Sequence, residues 1–569
     1  MAKSYILNDL INGLTVKKLK MKDAKAVGKM VIIGVLIVVI VIAGVAGYYL
    51  TTPQVKLKET LMMGTTDSVE SCLDPARAYD FFGWEIIQSL GSGLVEYKPG
   101  ATGSVDDIVS ALATSWTVSD DGLQWTFNLR QGVKYDDGTE FTADDVKYTF
   151  DRGIGIADED GAFVGIGIGG EGGIIKDTTV VSKYVVKFSL NYPFAAFLSL
   201  LTGQMCYIVD PQHAPADAVV EYTEGNARAS HPMGLGPYML KSWTRVAGKD
   251  TEMQLEANPN YWNAGEGYPK TKNIVIRFYA DPTGLATAMT AGDIDIAFRQ
   301  LGAADINTMK TNANLHVWEG TGAFIQYLVL QEKRAPFDNV KIRQAVGAAI
   351  NRTTMVETVF LGQAQKLYSM IPIGMFGHTD AFESLGDPNY TRTRELLSEL
   401  GYSESNKLSF KLWYETSGHY PQSPQQAAVL KSSLEASGVI SVTLESRDWA
   451  SYRTARQDEI MDAYILGWYP DYIDPDDYIY PFVQSSGGSW IHHNYNNTQM
   501  DQLIAWARGN TTTTARDSLY QQIQDLMVQD APIIPLYQGG AYAVSKTNVK
   551  GIYLDITQQW RHWLLYAEE

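Results

Sequence analysis

The sequence predicts a mixed α/β protein of two or three domains behind one transmembrane helix. Three features carry that prediction. Short runs of alternating apolar residues interleave with amphipathic stretches at helical spacing, which fits neither an all-β nor an all-helical chain. Residues 31–50, VIIGVLIVVIVIAGVAGYYL, hold no charge. The roughly 520 residues that follow exceed what one hydrophobic core serves.

At about 1.5 Å per residue the apolar segment reaches about 30 Å, the thickness of a bilayer's hydrocarbon core. Lys17, Lys18, Lys20, Lys22, Lys25 and Lys29 precede it and favour a cytoplasmic N-terminus. Tyr48 and Tyr49 suit the outer interface. A cleaved secretory signal shares this order of charge and apolarity. Its core, however, is usually only about 7–15 residues long and ends at a small-x-small site, which AGVAGYY does not supply. The expectation is a basic cytoplasmic head over 1–30, a single-pass membrane anchor over 31–50 and an extracellular ectodomain.

Without the head and anchor, which hold seven Lys and two Asp, the chain keeps 39 basic and 62 acidic residues, a formal charge of −23. Nucleic acid is excluded as a partner, because phosphate-binding surfaces concentrate Lys and Arg. Four sequons, at Asn351, Asn389, Asn496 and Asn510, are compatible with a glycosylated outer surface. Two cysteines, Cys72 and Cys206, are too few for a disulfide scaffold. Whether they bridge depends on a Cα separation that sequence does not give.

Local grammar is clearest over residues 125–152. Trp125, Phe127 and Leu129 alternate as a strand, the run Asp136, Asp137, Gly138 turns, and a helix starts at Thr142. Thr142 with Asp145 makes a capping box, and Phe141 with Val146 a hydrophobic staple. Residues 337–362 read as two helices, the first capped by Asp338 and the second by Thr353, with Gly362 as the stop. Ala345, Val346, Ala349 and Ile350 form a small-residue core face. Residues 153–173, rich in glycine, read as an irregular surface loop. No long Ser/Thr-rich or Pro-rich linker divides the ectodomain, so its domains are expected to interweave.

Several motifs could suggest chemistry. Residues 165–170, GIGIGG, match a dinucleotide pattern but lack a leading strand and a following helix. The run Asp158, Glu159, Asp160, Gly161 lacks the spaced ligands of a calcium loop. His492 and His493, with His231 and His419 elsewhere, lack a cysteine cluster or HExxH pattern, and neighbouring strand residues face opposite ways. No metal or other cofactor is expected. The richest segment is 467–478, GWYPDYIDPDDY, which follows the strand-like Ala463 to Leu466. Its prolines stiffen an aromatic, acidic loop in which Asp471 and Trp468 are placed to meet a ligand ammonium or hydroxyl. Asp474, Asp476 and Asp477 read as capping and turn residues. A glycosidase pair built on Asp471 has no second catalytic signature beside it, so the protein is expected not to be an enzyme.

Taken together these segments resemble the extracytoplasmic solute-binding proteins of ABC importers, of the large oligopeptide and dipeptide type known as family 5. The likeness runs through residues 73–75 (LDP) with the aromatic-rich helix after them, 113–122 (ATSWTVSDDG), 125–133 (WTFNLRQGV) and 137–146 (DGTEFTADDV). It continues through 234–238 (GLGPY), 258–262 (NPNYW), 291–296 (AGDIDI) and 343–346 (RQAV). The resemblance implies a two-lobed periplasmic-binding-protein-like fold. Lobe I would span 55–320, with an extra subdomain at about 80–230, lobe II 321–525, and the chain would return to lobe I over 526–569. Crossings between lobes are expected near 315–325 and 525–540.

It further implies capture of oligopeptides or dipeptides in the interlobe cleft and delivery to a permease driven by an ATPase. Closure is a population shift favoured only by a ligand that touches both lobes. In peptide-binding members the aspartate of the loop after the Gly-Trp strand end pairs with the peptide ammonium, and Asp471 matches it. No Arg is assigned to a peptide carboxylate, and Gln331, after the strand that includes Tyr327, stands where the family often has Asn. The alternative cargo is an oligosaccharide, whose faces would stack on Trp468, Tyr469 and Trp490. A surface-layer or assembly role for the same fold is a further alternative. The expected ligand-binding set is Asp471, Trp468, Tyr469, Tyr472, Tyr327 and Trp490.

Overall fold

Two large sheets organise the chain in the computed structural model, which describes residues 56–569 except 171, 300, 418 and 486–488. The expected head and anchor, 1–30 and 31–50, lie outside the described residues. Among the described residues no helix is long and apolar enough to cross a membrane. Residues Leu57–Glu568 form one compact unit.

The first sheet has seven strands, in the order Leu315–Gly320, Ala541–Lys546, Ile296–Phe298, Thr60–Thr65, Asn273–Phe278, Lys249–Ala257 and Tyr238–Val246. Thr60–Thr65 pairs in parallel with both of its neighbours, and the outer pairings are antiparallel. The second sheet has six, in the order Ala364–Lys366, Ile533–Gly539, Ile325–Leu330, Ala463–Trp468, Leu408–Glu415 and Ile440–Arg447. Every residue of its central strand Ile325–Leu330 is buried, which is why that strand reads as a continuous run (IQYLVL) with no alternation to show an outer face.

The chain leaves the first sheet at Gly320 and enters the second at Ile325. It returns from Gly539 to Ala541 with only Gly540 between. At this double crossing the two backbones touch. A Cβ on Gly322 would lie 2.3 Å from the Gly539 carbonyl oxygen, so only glycine fits. The Gly539 amide donates to the Phe324 carbonyl at 2.9 Å, and Gln538 Nε2 donates to that of Gly322 at 2.6 Å.

A third sheet of four antiparallel strands, ordered Ala113–Val118, Gln124–Leu129, Val185–Leu190 and Ile175–Ser182, carries the helix Ala143–Ile156. Phe127, Phe150, Phe188 and Phe197 meet edge-on between them, with ring centroids 4.8 Å apart for Phe150 and Phe188. The capping box is present: the Thr142 amide donates to Asp145 Oδ2 at 2.7 Å. Phe141 and Val146 are both fully buried.

Some local expectations are corrected. Asn339, not Asp338, caps Val340–Ala348, accepting from the Lys341 amide at 2.9 Å. Asn351, not Thr353, caps the next helix, accepting from Thr354 at 2.8 Å, while Thr353 sits inside its first turn beside Asp387. Asparagine caps as well as aspartate and better than threonine, so the cap falls to whichever residue the backbone places at the helix start, one residue after Asp338 and two before Thr353. The glycine-rich stretch opens as helix: Ala143–Ile156 includes Gly153, which packs against Phe163, and Ala162–Gly165 adds one more turn. Helix, not strand, therefore leads into residues 165–170. Cys72 and Cys206 do not bridge. Both are buried free thiols, and burial pushes Cys72 up to about 12.

His492 has φ of 56°, so the histidine pair sits on a bend, not a strand. Burial pushes His493 and His231 down to about 3 and His419 to about 4. Among the described residues no three His, Cys, Asp or Glu side chains are placed to hold a metal. Gln331 is buried, and its amide donates to the His492 carbonyl and accepts from Asn494 at 3.0 Å.

Candidate functional site

The strand Ala463–Trp468 includes Gly467 as its penultimate residue, where a Cβ would lie 2.6 Å from the Phe324 ring and 2.9 Å from that of Tyr420. Glycine there lets two aromatic rings close over the start of the loop. The loop then turns into the short helix Pro475–Tyr478, capped by Asp474, which accepts from the Asp476 amide at 2.9 Å. Asp474 also takes both ends of the Arg516 guanidinium. Asp476 faces Arg508 at 3.2 Å and accepts from the Tyr472 hydroxyl at 2.9 Å. These two aspartates brace the loop, as the turn and capping expectation held.

The other two differ. Asp477 Oδ2 accepts from Trp468 Nε1 and from the Asp471 amide, each at 3.0 Å. Asp471 Oδ2 accepts from the Tyr79 hydroxyl at 2.7 Å. Among the described residues neither carboxylate has a cation within ion-pair distance. Burial pushes Asp471 up to about 7, with the Tyr79 hydrogen bond opposing. Asp477 is pushed well above the carboxylate range, by burial first and by the charge of Asp471 second. Asp471 is half-buried, while Asp477 is buried.

Two cavities meet here. The larger, of about 480 Å³, lies between the sheets, lined by Phe298, Arg299 and Tyr553 on one side and Phe360, Tyr420 and Tyr537 on the other. Phe324, Gly539 and Gly540 of the crossings form part of its wall. The smaller is a crevice of about 20 Å³ lined by Asp471, Tyr472, Phe81, Trp84, Glu85 and Gln88.

Of the residues singled out by sequence, Asp471 and Tyr472 line the crevice and Tyr469 the larger cavity. The Tyr469 ring lies 5.2 Å from Phe81 and 4.5 Å from Phe324, and burial pushes its phenol up to about 12. Trp468, Trp490 and Tyr327 line neither cavity. Trp468 packs on Trp490 at 5.2 Å and edge-on against Phe482. The Arg456 guanidinium covers Trp490 at 4.7 Å. Tyr327 is fully buried, with its ring against Phe482.

Sequence reasoning missed Tyr79, Glu85 and Arg299. Arg299 Nε lies 2.7 Å from Asp67 and its Nη2 2.5 Å from Glu85, with the guanidinium 4.6 Å above the Phe81 ring. Burial pushes Glu85 up to about 8 despite Arg299. Only one signal pointed here, the aromatic-rich helix after residues 73–75.

Residues 107–490 match the family described as bacterial extracellular solute-binding proteins, family 5 Middle. The chain belongs to this family. Heme-binding protein A of Haemophilus influenzae is 30% identical to this family 5 protein over 482 residues, 82% of this chain and 84% of the relative. The probable D,D-dipeptide-binding periplasmic protein DdpA of Escherichia coli is 29% identical over 501 residues, 87% of this chain and 91% of the relative. A solved structure of the ABC transporter-associated periplasmic binding protein DppA of Helicobacter pylori with the peptide STSA superposes with a TM-score of 0.74 at 25% identity. It covers 90% of this chain and 99% of that one. The family 5 protein thus has the mixed α/β, two-lobed periplasmic-binding-protein fold.

Proposed function

We propose that this family 5 protein is the binding subunit of an ABC importer, taking extracytoplasmic oligopeptides or dipeptides into the interlobe cleft, with Asp471 receiving the ammonium. One observation carries the proposal: half-buried Asp471 and buried Asp477 form a carboxylate pair with no cation beside it among the described residues. A peptide N-terminus supplies the missing charge, and a charge-assisted bond in a poorly solvated cleft is strong. Tyr469, Tyr472, Phe81 and Phe324 then flank the ligand backbone. Relatives named for D,D-dipeptides and for di- and tripeptides, and a structural neighbour holding STSA, support the same cargo. The oligosaccharide alternative loses two of its stacking platforms, since Trp468 and Trp490 pack on one another and on Phe482.

In this reading lobe I spans 55–320 and 541–569 and lobe II 321–539, with residues 321–324 and Gly540 as the hinge strands; the return falls at Gly540 and not at the expected 526, because Ile533–Gly539 pairs with Ile325–Leu330 in the second sheet. The segment 31–50 tethers the binder beside its permease and raises its effective concentration there. Capture and release, not turnover, is its role.

The test is thermal unfolding of the full-length protein with mixed peptides, the same peptides N-acetylated, and mixed oligosaccharides. A ligand bound only by the folded state at a hundredfold excess over Kd adds about 2.7 kcal/mol. Free-amino peptides are expected to stabilise and acetylated ones not. Stabilisation by sugars alone, or by both peptide sets equally, overturns the proposal.

A pH dependence follows. The empty cleft holds a proton on Asp471 below about pH 7, and the ammonium needs the ionised carboxylate. Affinity is therefore expected to rise with pH through about 7, by up to about tenfold per unit below it. It falls again above about pH 8, where the peptide amine loses its own proton. The sign for stability is opposite. Folded Asp471 binds a proton that the unfolded chain releases at lower pH, so the empty protein loses stability as pH rises from the usual carboxylate range to about 7. Calorimetry at pH 6.5 in two buffers of different ionisation enthalpy should show proton release on peptide binding, and no release would count against the assignment.

A further inference from the structure

The crevice beside Asp471 contains more acceptors than an ammonium anchor uses. Glu85 and Gln88 lie one turn apart on the helix Phe81–Leu90, both 3% exposed, and both line the crevice. Each has one polar atom committed to a neighbour and one oxygen left over. Glu85 Oε2 receives Arg299, and Gln88 Nε2 is spent on Gln559 Oε1 at 2.9 Å. Glu85 Oε1 and Gln88 Oε1 have no hydrogen-bond partner among the described residues. Buried acceptors are rarely left unmade, because each forfeits its hydration for nothing. Thr202, Gln204 and Thr557 complete a polar wall.

Resting on the peptide reading above, we propose that Glu85 and Gln88 form a subsite for the ligand's first residue, selecting a short hydrogen-bond donor, a hydroxyl or ammonium carried on its β-carbon. Size sets the limit. A space of about 20 Å³ is enough for one water-sized group, which needs about 10–15 Å³, and too small for a branched apolar side chain. Burial keeps a proton on Glu85 near neutral pH. With that proton in place on Oε1, a ligand hydroxyl accepts from Glu85 and donates to Gln88 Oε1; an arriving ammonium releases the proton to solvent and donates to both oxygens. Both lobes then hold the first residue, lobe II through Asp471 and lobe I through Glu85 and Gln88, which ties recognition to closure.

The test measures Kd of the full-length protein for Ala-Leu, Ser-Leu, Val-Leu and 2,3-diaminopropionyl-Leu. Ser-Leu and the diaminopropionyl peptide are expected to bind about fivefold or more tighter than Ala-Leu, the scale of one added hydrogen bond, and Val-Leu weaker. Gln88→Met should bring the Ser-to-Ala ratio towards one. Glu85→Gln, which keeps an acceptor for Arg299, should lower the diaminopropionyl preference. The panel on the unaltered protein decides the question even where a variant folds poorly. If Ala-Leu matches Ser-Leu while its binding still depends on a free amine, the subsite falls and the ammonium anchor stands. If no peptide in the panel binds, the peptide reading fails and the subsite falls with it.

Discussion

Asp471→Asn is expected to weaken binding of a free-amino peptide by at least about 30-fold while raising the thermal stability of the empty protein. Removing one partner of a buried, hydrogen-bonded charge pair costs about 2–5 kcal/mol, and each 1.4 kcal/mol is about tenfold in Kd. The asparagine fills the same space, and the main-chain amide of residue 471 still holds Asp477. Binding is lost because the amide cannot neutralise an ammonium. Stability moves the other way: in the empty cleft the Asp471 carboxylate sits half-buried beside Asp477 with only the Tyr79 hydroxyl for company, so removing its charge relieves both desolvation and like-charge repulsion. The opposite signs separate a lost anchor from a damaged fold. Calorimetric titration with Ala-Leu and differential scanning calorimetry on the same preparations read both. An unchanged Kd would remove Asp471 from the site, and a falling Tm would mean that its charge is paired in the empty protein after all.

Much of the α/β architecture was legible because it rests on local grammar. The strand around Trp125, the capping box at Thr142 and the rigid loop 467–478 are each written within a dozen residues, where capping, alternation and proline geometry act directly. What was not legible depends on long-range placement. Tyr327, Trp468 and Trp490 have the side chains of a ligand platform, but which face of a strand or loop meets the cleft is decided by Phe482 and Arg456, from other segments. Arg299 follows the three-residue strand Ile296–Phe298 with φ of 58°, a conformation no pattern announces, and its partners Asp67 and Glu85 come from more than two hundred residues upstream. The same holds for the cysteines, whose relation is purely spatial. The Asp-Pro of residues 74 and 75 marked a family segment, yet nothing in it pointed to its partner in the helix Ala143–Ile156.

That partner sets up the largest expected stability loss. Asp74 is fully buried and accepts from Arg152 Nη1 at 2.8 Å and Nη2 at 2.6 Å, with the amides of Ala76 and Val220 at 3.0 and 2.7 Å. Arg152 also donates to the carbonyls of Pro215 and Ala218, so one guanidinium ties the 74–76 turn, the helix Ala143–Ile156 and the 215–220 segment together. Arg152→Met keeps the apolar stem and removes the cation, leaving a buried carboxylate held by two amides. The expected cost is about 3–5 kcal/mol, the usual consequence of orphaning a buried charge. Asp74→Asn/Arg152→Met is expected to be less destabilised than Arg152→Met alone, since the uncompensated charge is gone. Denaturant unfolding of both variants measures the difference. The turn leads five residues on to Tyr79, so the same variant is expected to loosen the Tyr79 to Asp471 contact and with it the closure of the cleft. A double variant as unstable as the single would show that packing around the Arg152 stem, not its charge, holds these segments together.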